Sequence, residues 1–235
     1  MPHFRPLPVF TAVFAVMFAA LIALGVWQIQ RLHWKLGLIA EVNRSLAAPP
    51  VSLDRALATN AQYRRVALTG RFENAKEAYV YETGPNGAPV YHVLTPFVDG
   101  GGRTLMVDRG IVPVELRDPA RRARGQLEGE RRLVGVWRTP GAPGFFTPPP
   151  DAAHRIWYSP DVTSIAAADR VKLAAPVIVE ADAAPNPGGW PKGGQSKVTF
   201  RNEHLQYAVT WFLMAAALLG VYVAYHIGKG RLGWR

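Results

Sequence analysis

The chain has 235 residues, 49% of them hydrophobic, with 27 Lys and Arg against 17 Asp and Glu, a formal net charge of +10 and no cysteine. The lack of cysteine excludes disulfides, thiolate metal sites and cysteine nucleophiles, and it suits an oxidising compartment. The surplus charge does not read as nucleic-acid binding. Its densest block, "RDPARRARGQLEGERRL", is interrupted by Asp118, Glu128 and Glu130 and reads as a solvated loop, so anionic lipid or an acidic protein is the expected counterpart.

Taken in order, the chain first offers an uncharged run from Val9 to Trp27, long enough as a helix to cross the hydrocarbon core, and residues 8–28 are assigned to a first transmembrane helix. The run is longer than the apolar core of a signal peptide and continues into a helical pattern rather than a cleavage site. Only Arg5 is basic ahead of it, which argues against a transit peptide and points to a bacterial inner membrane. Over residues 29–48, Leu32, Leu36, Ile39, Val42 and Leu46 recur at helical spacing until Pro49-Pro50, predicting a helical extension with an apolar stripe for the extramembrane domain.

Residues 49–200 read as that domain. "YRRVALTGRFE" alternates with the period of a half-buried strand, and "YVYE", "PVYHVLTPFV", "RTLMVDRGIVP", "RRLVGVWR", "RIWY" and "PVIVEA" follow between Gly, Pro and Asn turns. "VDGGGR" is a hairpin turn rather than a phosphate loop, because a strand and not a helix follows it. "SPDVTSIAAADR" predicts a short helix capped by Ser159 or Asp161, and "APNPGGWPKGGQSK" a flexible lead to the second span. Residues 205–227 form the second transmembrane helix and 228–235 a tail. The expected fold class is therefore a membrane protein, two transmembrane α-helices bracketing a mainly-β domain (antiparallel barrel or sandwich, α+β). The tails hold Arg5, Lys229, Arg231 and Arg235 and no acid, so both termini are expected in the cytoplasm and the large domain in the periplasm.

Small residues recur every fourth position on each span, Ala15, Ala19 and Ala23 on the first and Ala216, Gly220 and Ala224 on the second. These faces are expected to meet, leaving the face that carries His204 partly open.

No nucleophile elbow, paired-histidine zinc motif or nucleotide fingerprint occurs, and the six histidines have no chelating spacing. The informative residues stand at the helix mouths. Steps of about 100° place His204, Ala208, Trp211, Ala215, Leu218 and Tyr222 on one face. An imidazole above an apolar, aromatic strip is what an axial haem ligand needs, and Arg31, Lys35 and Arg201 are available to anionic propionates. The competing reading is architectural: His204 and Asn202 cap the helix, with His204 donating to backbone or to Gln28 on the first span.

The paired ends, "LGVWQIQRLHWKLGLI" and "RNEHLQYAVTWFLMAA", resemble the two signatures of the Surfeit locus protein 1 family, and "YRRVALTGRF", "VYHVLTPF", "LMVDRGIVPVE" and "WYSPDVTSIA" fall between them in the family's order. The resemblance implies a two-span membrane protein that assists biogenesis of haem–copper cytochrome oxidase, with haem a delivery to the large subunit in bacterial members. The first signature maps onto Trp27, Gln28, Arg31, Trp34 and Lys35. The second maps onto Asn202, His204, Leu205, Tyr207, Thr210 and Trp211, with His204 at the position implicated in haem contact. Gly70 matches the glycine of the first strand motif. Where the family usually has Asn-Arg-Gly-Trp, this chain reads Asp108-Arg109-Gly110-Ile111, and Glu203 stands where a small polar residue is common.

The expectation is a non-enzymatic assembly factor holding haem a transiently, with His204 on the iron and Trp211, Tyr207, Gln28, Arg31, Lys35 and Arg201 around the group. Its partners would be the oxidase large subunit, haem A synthase and the lipid bilayer. The alternative is a cofactor-free membrane chaperone that stabilises the large subunit during assembly.

Overall fold

A computed structural model describes residues 2–84, 86–196 and 200–234, so Arg235, one of the tail charges, lies outside it. Among the described residues there are ten strands and four α-helices, and the chain divides into two units, Met1–Glu41 with Thr199–Arg235, and Val42–Val198.

The first unit is built on α1 (Pro8–Ala47) and α4 (His204–Gly228), both long and apolar enough to cross a membrane. Pro8 opens α1, where its missing N–H costs no helical bond, and α1 ends ahead of Pro49-Pro50. At 40 residues α1 is about 60 Å long, twice a hydrocarbon core. The first and last strands, β1 (Pro2–Phe4) and β10 (Leu232–Trp234), pair antiparallel beyond the helices.

The two helices do not meet on their small residues. Ala15, Ala19, Ala23, Ala216, Gly220 and Ala224 are all exposed. Their seam is instead the His204 face of α4, on which Ala208, Ala215, Tyr222 and His226 are buried and His204, Trp211 and Leu218 half-buried. The Tyr222 hydroxyl is 2.7 Å from Thr11 Oγ1, and its ring stacks on Phe14 at 4.1 Å. Gly25 of α1 lies against the Phe212 ring, which a Cβ would displace. The physical reason is polarity. This face carries the groups that need hydrogen-bond partners, which another helix supplies and hydrocarbon does not. Small-residue spacing permits close approach without requiring it.

In the second unit the strands are β2 (Val51–Ser52), β3 (Arg65–Phe72), β4 (Ala78–Thr83), β5 (Pro89–Asp99), β6 (Thr104–Pro113), β7 (Arg131–Arg138), β8 (Ile156–Trp157) and β9 (Leu173–Ala181). They form one sheet in the order β2-β3-β7-β9-β6-β5-β4-β8, and a further pairing of β3 with β5 closes the ring β3-β7-β9-β6-β5 into a barrel. The barrel is mixed rather than wholly antiparallel, since β6 and β9 run parallel. A parallel neighbour needs a long crossover, and the chain between β6 and β9 supplies one that includes α3 (Val162–Ala168). Asp161 caps α3, accepting from Thr163 and Ser164. The Asp99–Arg103 segment turns β5 into β6, with the Asp99 carboxylate accepting from the Gly101 and Arg103 amides. A further helix, α2 (Leu53–Thr59), has Ser52 as its cap and a left-handed Asn60 at its end, and buries Leu53 and Ala56.

Alternate residues of the strands fill the barrel: Val66, Leu68, Phe97, Leu105, Val107, Trp137 and Val179 form one cluster. The tract expected to be a flexible lead is tied down before residue 197. Lys192 exchanges two backbone hydrogen bonds with Ile111, at 3.0 and 3.1 Å, and Trp190 packs on the cluster around Tyr79, Tyr91 and Val112.

Closure depends on Gly70, which pairs with Asp99 on β5 and with Arg131 on β7. A Cβ there would be driven into the Val98 carbonyl and the Asp99 backbone, neither of which can swing aside. Gly70→Ala is therefore expected to destabilise the barrel by about 2 kcal/mol or more, read as a lowered thermal midpoint of the β-sheet circular dichroism signal. An unchanged midpoint would mean that the β3–β5 pairing does not constrain the fold.

Candidate functional site

The site begins where α4 begins. His204 is the first residue of α4, half-buried, and its Nδ1 is 2.7 Å from Oε1 of Gln28, itself buried on α1. A carbonyl oxygen only accepts, so Nδ1 donates, and in the neutral ring Nε2 then keeps its lone pair. Among the described residues Nε2 has no hydrogen-bond partner. An outer-shell acceptor on one nitrogen and a free donor on the other is the arrangement of a metal-binding histidine. The ring is nevertheless turned toward α1, not outward, and its backbone N–H lies 3.4 Å from Asn202 Oδ1. The contacts of the architectural reading are thus present as well.

The other sequence-derived residues separate into two groups. Trp211 lies on the seam below His204, with its indole N–H buried and unpartnered among the described residues. Tyr207 is exposed. Arg31 is exposed and sets its guanidinium over two exposed indoles, 5.9 Å from the centroid of Trp27 and 4.9 Å from that of Trp34. The Lys35 ammonium donates to the backbone carbonyl of Arg201, whose side chain pairs with Glu203 at 2.5 Å. His204, Gln28, Lys35 and Arg201 are therefore joined across the helix mouths. The apolar strip Ala208, Trp211, Ala215 forms the helix seam and not an open face.

Comparison with known proteins covers the stretch that holds these residues. The model of the SURF1 family matches residues 15–216, a stretch that takes in both helix mouths and the whole barrel. The chain belongs to the SURF1 family. Surfeit locus protein 1 of Takifugu rubripes is 35% identical over 229 residues, covering 90% of this chain and 94% of the relative. Surfeit locus protein 1 of Homo sapiens is 36% identical over 215 residues, covering 83% and 70%. The SURF1-like protein of Monosiga brevicollis is 36% identical over 214 residues, covering 85% and 81%.

In this SURF1-family chain the barrel also carries two charged clusters not anticipated from the sequence. In the first, Glu77, 2% exposed, lies between the buried guanidinium groups of Arg109 and Arg122, at 2.9 and 2.5 Å. Tyr79 donates to the same carboxylate at 3.2 Å, and burial followed by that carboxylate pushes its hydroxyl up to about 12. Arg122 belongs to the basic block read as a solvated loop. Inside, the Glu77 carboxylate balances its charge, and the carbonyls of Leu116 and Arg117 accept from its Nε and Nη2. Arg109 is one residue before Gly110, whose φ of +107° and close approach to the Lys192 carbonyl admit only glycine. Ile111 joins the backbone pairing with Lys192.

In the second cluster His92 is clamped between Asp108 and Glu82, 2.7 Å from each. It lines a cavity of about 280 Å³ with Glu82, Arg138, Glu180 and Gln195. Burial alone would push the His92 imidazole down, but the Asp108 and Glu82 carboxylates outweigh it and raise it to about 9. Burial pushes the Glu180 carboxyl up. The signal available in the sequence was the interruption of apolar alternation by Asp108-Arg109 inside "TLMVDRGIVP", since a charged pair in a barrel strand needs partners inside.

Proposed function

We propose that this SURF1-family chain is a non-enzymatic assembly factor for a haem–copper cytochrome oxidase, anchored in a bacterial inner membrane by α1 and α4. In this reading it presents a haem-binding histidine, His204, at their mouth. Both termini would lie in the cytoplasm and the barrel in the periplasm. The membership of the family supports the assembly role, and the two long apolar helices support the anchoring. The named relatives are eukaryotic, and the bacterial setting belongs to the proposal alone.

The observation that carries the haem reading is the state of the imidazole. Gln28 fixes its tautomer, and Nε2 is left with a lone pair and no protein partner among the described residues. When bound, haem a would supply an iron centre that takes such a donor. His204 would hold the iron and Gln28 would orient His204. Arg31, which makes no ion pair among the described residues, would face the propionates more readily than Lys35 or Arg201, both already engaged. Because the strip beneath His204 is packed on α1, contact with a flat ring falls to the exposed aromatic residues Trp27, Trp34 and Tyr207, with Trp211 at the seam. One histidine with one supporting hydrogen bond suits transient holding rather than permanent storage.

The full chain is to be purified in detergent from cells that make haem a, and its haem measured as the pyridine haemochrome, beside His204→Ala and Gln28→Ala. His204→Ala is expected to lose the haem, and Gln28→Ala to weaken retention by about tenfold, the effect of removing a ligand's outer-shell partner. Equal haem in the parent chain and His204→Ala would overturn the ligand role. The packed His204 face favours a second reading, a cofactor-free chaperone. That reading predicts co-purification with the oxidase large subunit, or with haem A synthase, and no haem in either preparation.

A further inference from the structure

Between Arg138 and Asp151 the chain reads "TPGAPGFFTPPP", without one charged residue in a protein that carries a net charge of +10. At its centre Phe145 and Phe146 are 96% and 92% exposed, more than any other large hydrophobic residue described. Their rings meet edge to face, with centroids 5.1 Å apart and planes at 88°, so they form one projecting aromatic knob. Water is a poor environment for such a pair, and soluble surfaces do not hold adjacent, fully bared phenylalanines without a use for them.

We propose that this loop is a membrane-dipping tip, whose Phe145 and Phe146 enter the headgroup and upper acyl region of the bilayer that holds α1 and α4. The proposal rests on the membrane reading above. What favours lipid over a protein groove is the backbone. Lipid penalises every unsatisfied N–H, and a loop can enter only if it brings few of them. Pro140, Pro143, Pro148, Pro149 and Pro150 have none to bring. The Thr147 amide is satisfied within the loop by the Gly144 carbonyl at 3.0 Å, and the Thr139 amide by the Gln62 side chain at 2.8 Å. The amides of Gly141, Ala142, Gly144, Phe145 and Phe146 have no acceptor among the described residues, which keeps the loop backbone at the headgroup layer, where water and phosphate accept from them. A protein-binding tip would be expected to carry polar groups for an interface rim, and none is charged here. A chain anchored by its own spans also keeps the loop at high effective concentration near the bilayer, so a weak insertion suffices.

The absence of cysteine makes the test direct. Phe145→Cys, Val16→Cys on the exposed side of α1 and Glu130→Cys on a charged loop of the second unit are each labelled with an environment-sensitive fluorophore. The full chain is reconstituted into phosphatidylcholine–phosphatidylglycerol vesicles, and quenching by acyl-chain nitroxide lipids is compared with quenching by iodide. Labels at Val16 and Phe145 are expected to lose emission to the nitroxide lipid and resist iodide, with Glu130 showing the reverse. A Phe145 label that behaves like the Glu130 label, while Val16 is quenched by lipid, overturns the loop proposal alone. If the Val16 label also ignores the nitroxide lipid, the membrane reading falls and the loop proposal with it.

Discussion

Replacing Glu77 by alanine is expected to cost the barrel about 3–5 kcal/mol, the penalty of removing one partner from a buried ion pair. The carboxylate accepts from Arg109 Nη1 at 2.9 Å, from Arg122 Nη1 and Nη2 at 3.2 and 2.5 Å, and from the Tyr79 hydroxyl at 3.2 Å. Without it two buried guanidinium groups face each other with no counter-charge. Their other acceptors, Asn74 Oδ1 and the carbonyls of Gly125, Leu116 and Arg117, are neutral. Burial already pulls the Arg109 guanidinium down to about 10, a sign of how little water reaches it. The loss should show as a lowered thermal midpoint in detergent and should change little with salt, since screening reaches buried pairs poorly. The triple change Glu77→Leu, Arg109→Met, Arg122→Met is expected to recover most of the stability by removing all three charges together. If Glu77→Ala shifts stability by less than about 0.5 kcal/mol, the size of an ordinary surface change, the cluster does not hold the barrel.

Alkali is the second lever. His92 holds its proton up to about pH 9 in the folded barrel, against an ordinary value of 6.5. A group whose folded pKa is raised stabilises fully below its unfolded value and loses that contribution as pH rises through the folded one. Between pH 6.5 and 9 the barrel should therefore lose about 3 kcal/mol from this residue, at roughly 1.36 kcal/mol for each pH step of one. Melts at stepped pH measure the slope directly. Asp108→Asn should flatten it, because the Asp108 carboxylate is the largest influence raising the proton affinity. A wild-type melting profile that stays level from pH 6.5 to 9 would show that the clamp does not hold the proton.

The sequence made some features plain because their physics is local. An uncharged apolar run of bilayer length has one economical conformation, and alternation such as that of Val66 and Leu68 fixes which strand residues face inward. Pairings were not legible in the same way. Nothing between Gly70 and Asp99 announces that their strands will meet and shut the barrel, because closure is a long-range event decided by sheet curvature. The helix seam was misread because small-residue spacing is a permissive signal and can be overridden. The hydroxyl of Tyr222 and the imidazole of His204 find partners only on the opposite face. Arg122 shows the same limit for charge. In a run of arginines one side chain is selected for the interior by an acid 45 positions away, and composition says nothing about which. At the helix mouths the residue types were legible, whereas the direction in which His204 points was not.

The ladder between Pro2–Phe4 and Leu232–Trp234 has a consequence for biosynthesis. Its two halves are separated in the chain by both spans and the whole barrel, so this clasp can fasten only after translation of Leu232–Trp234. Until then the two spans must find each other through their seam alone, and any nascent-chain intermediate has its spans unlatched.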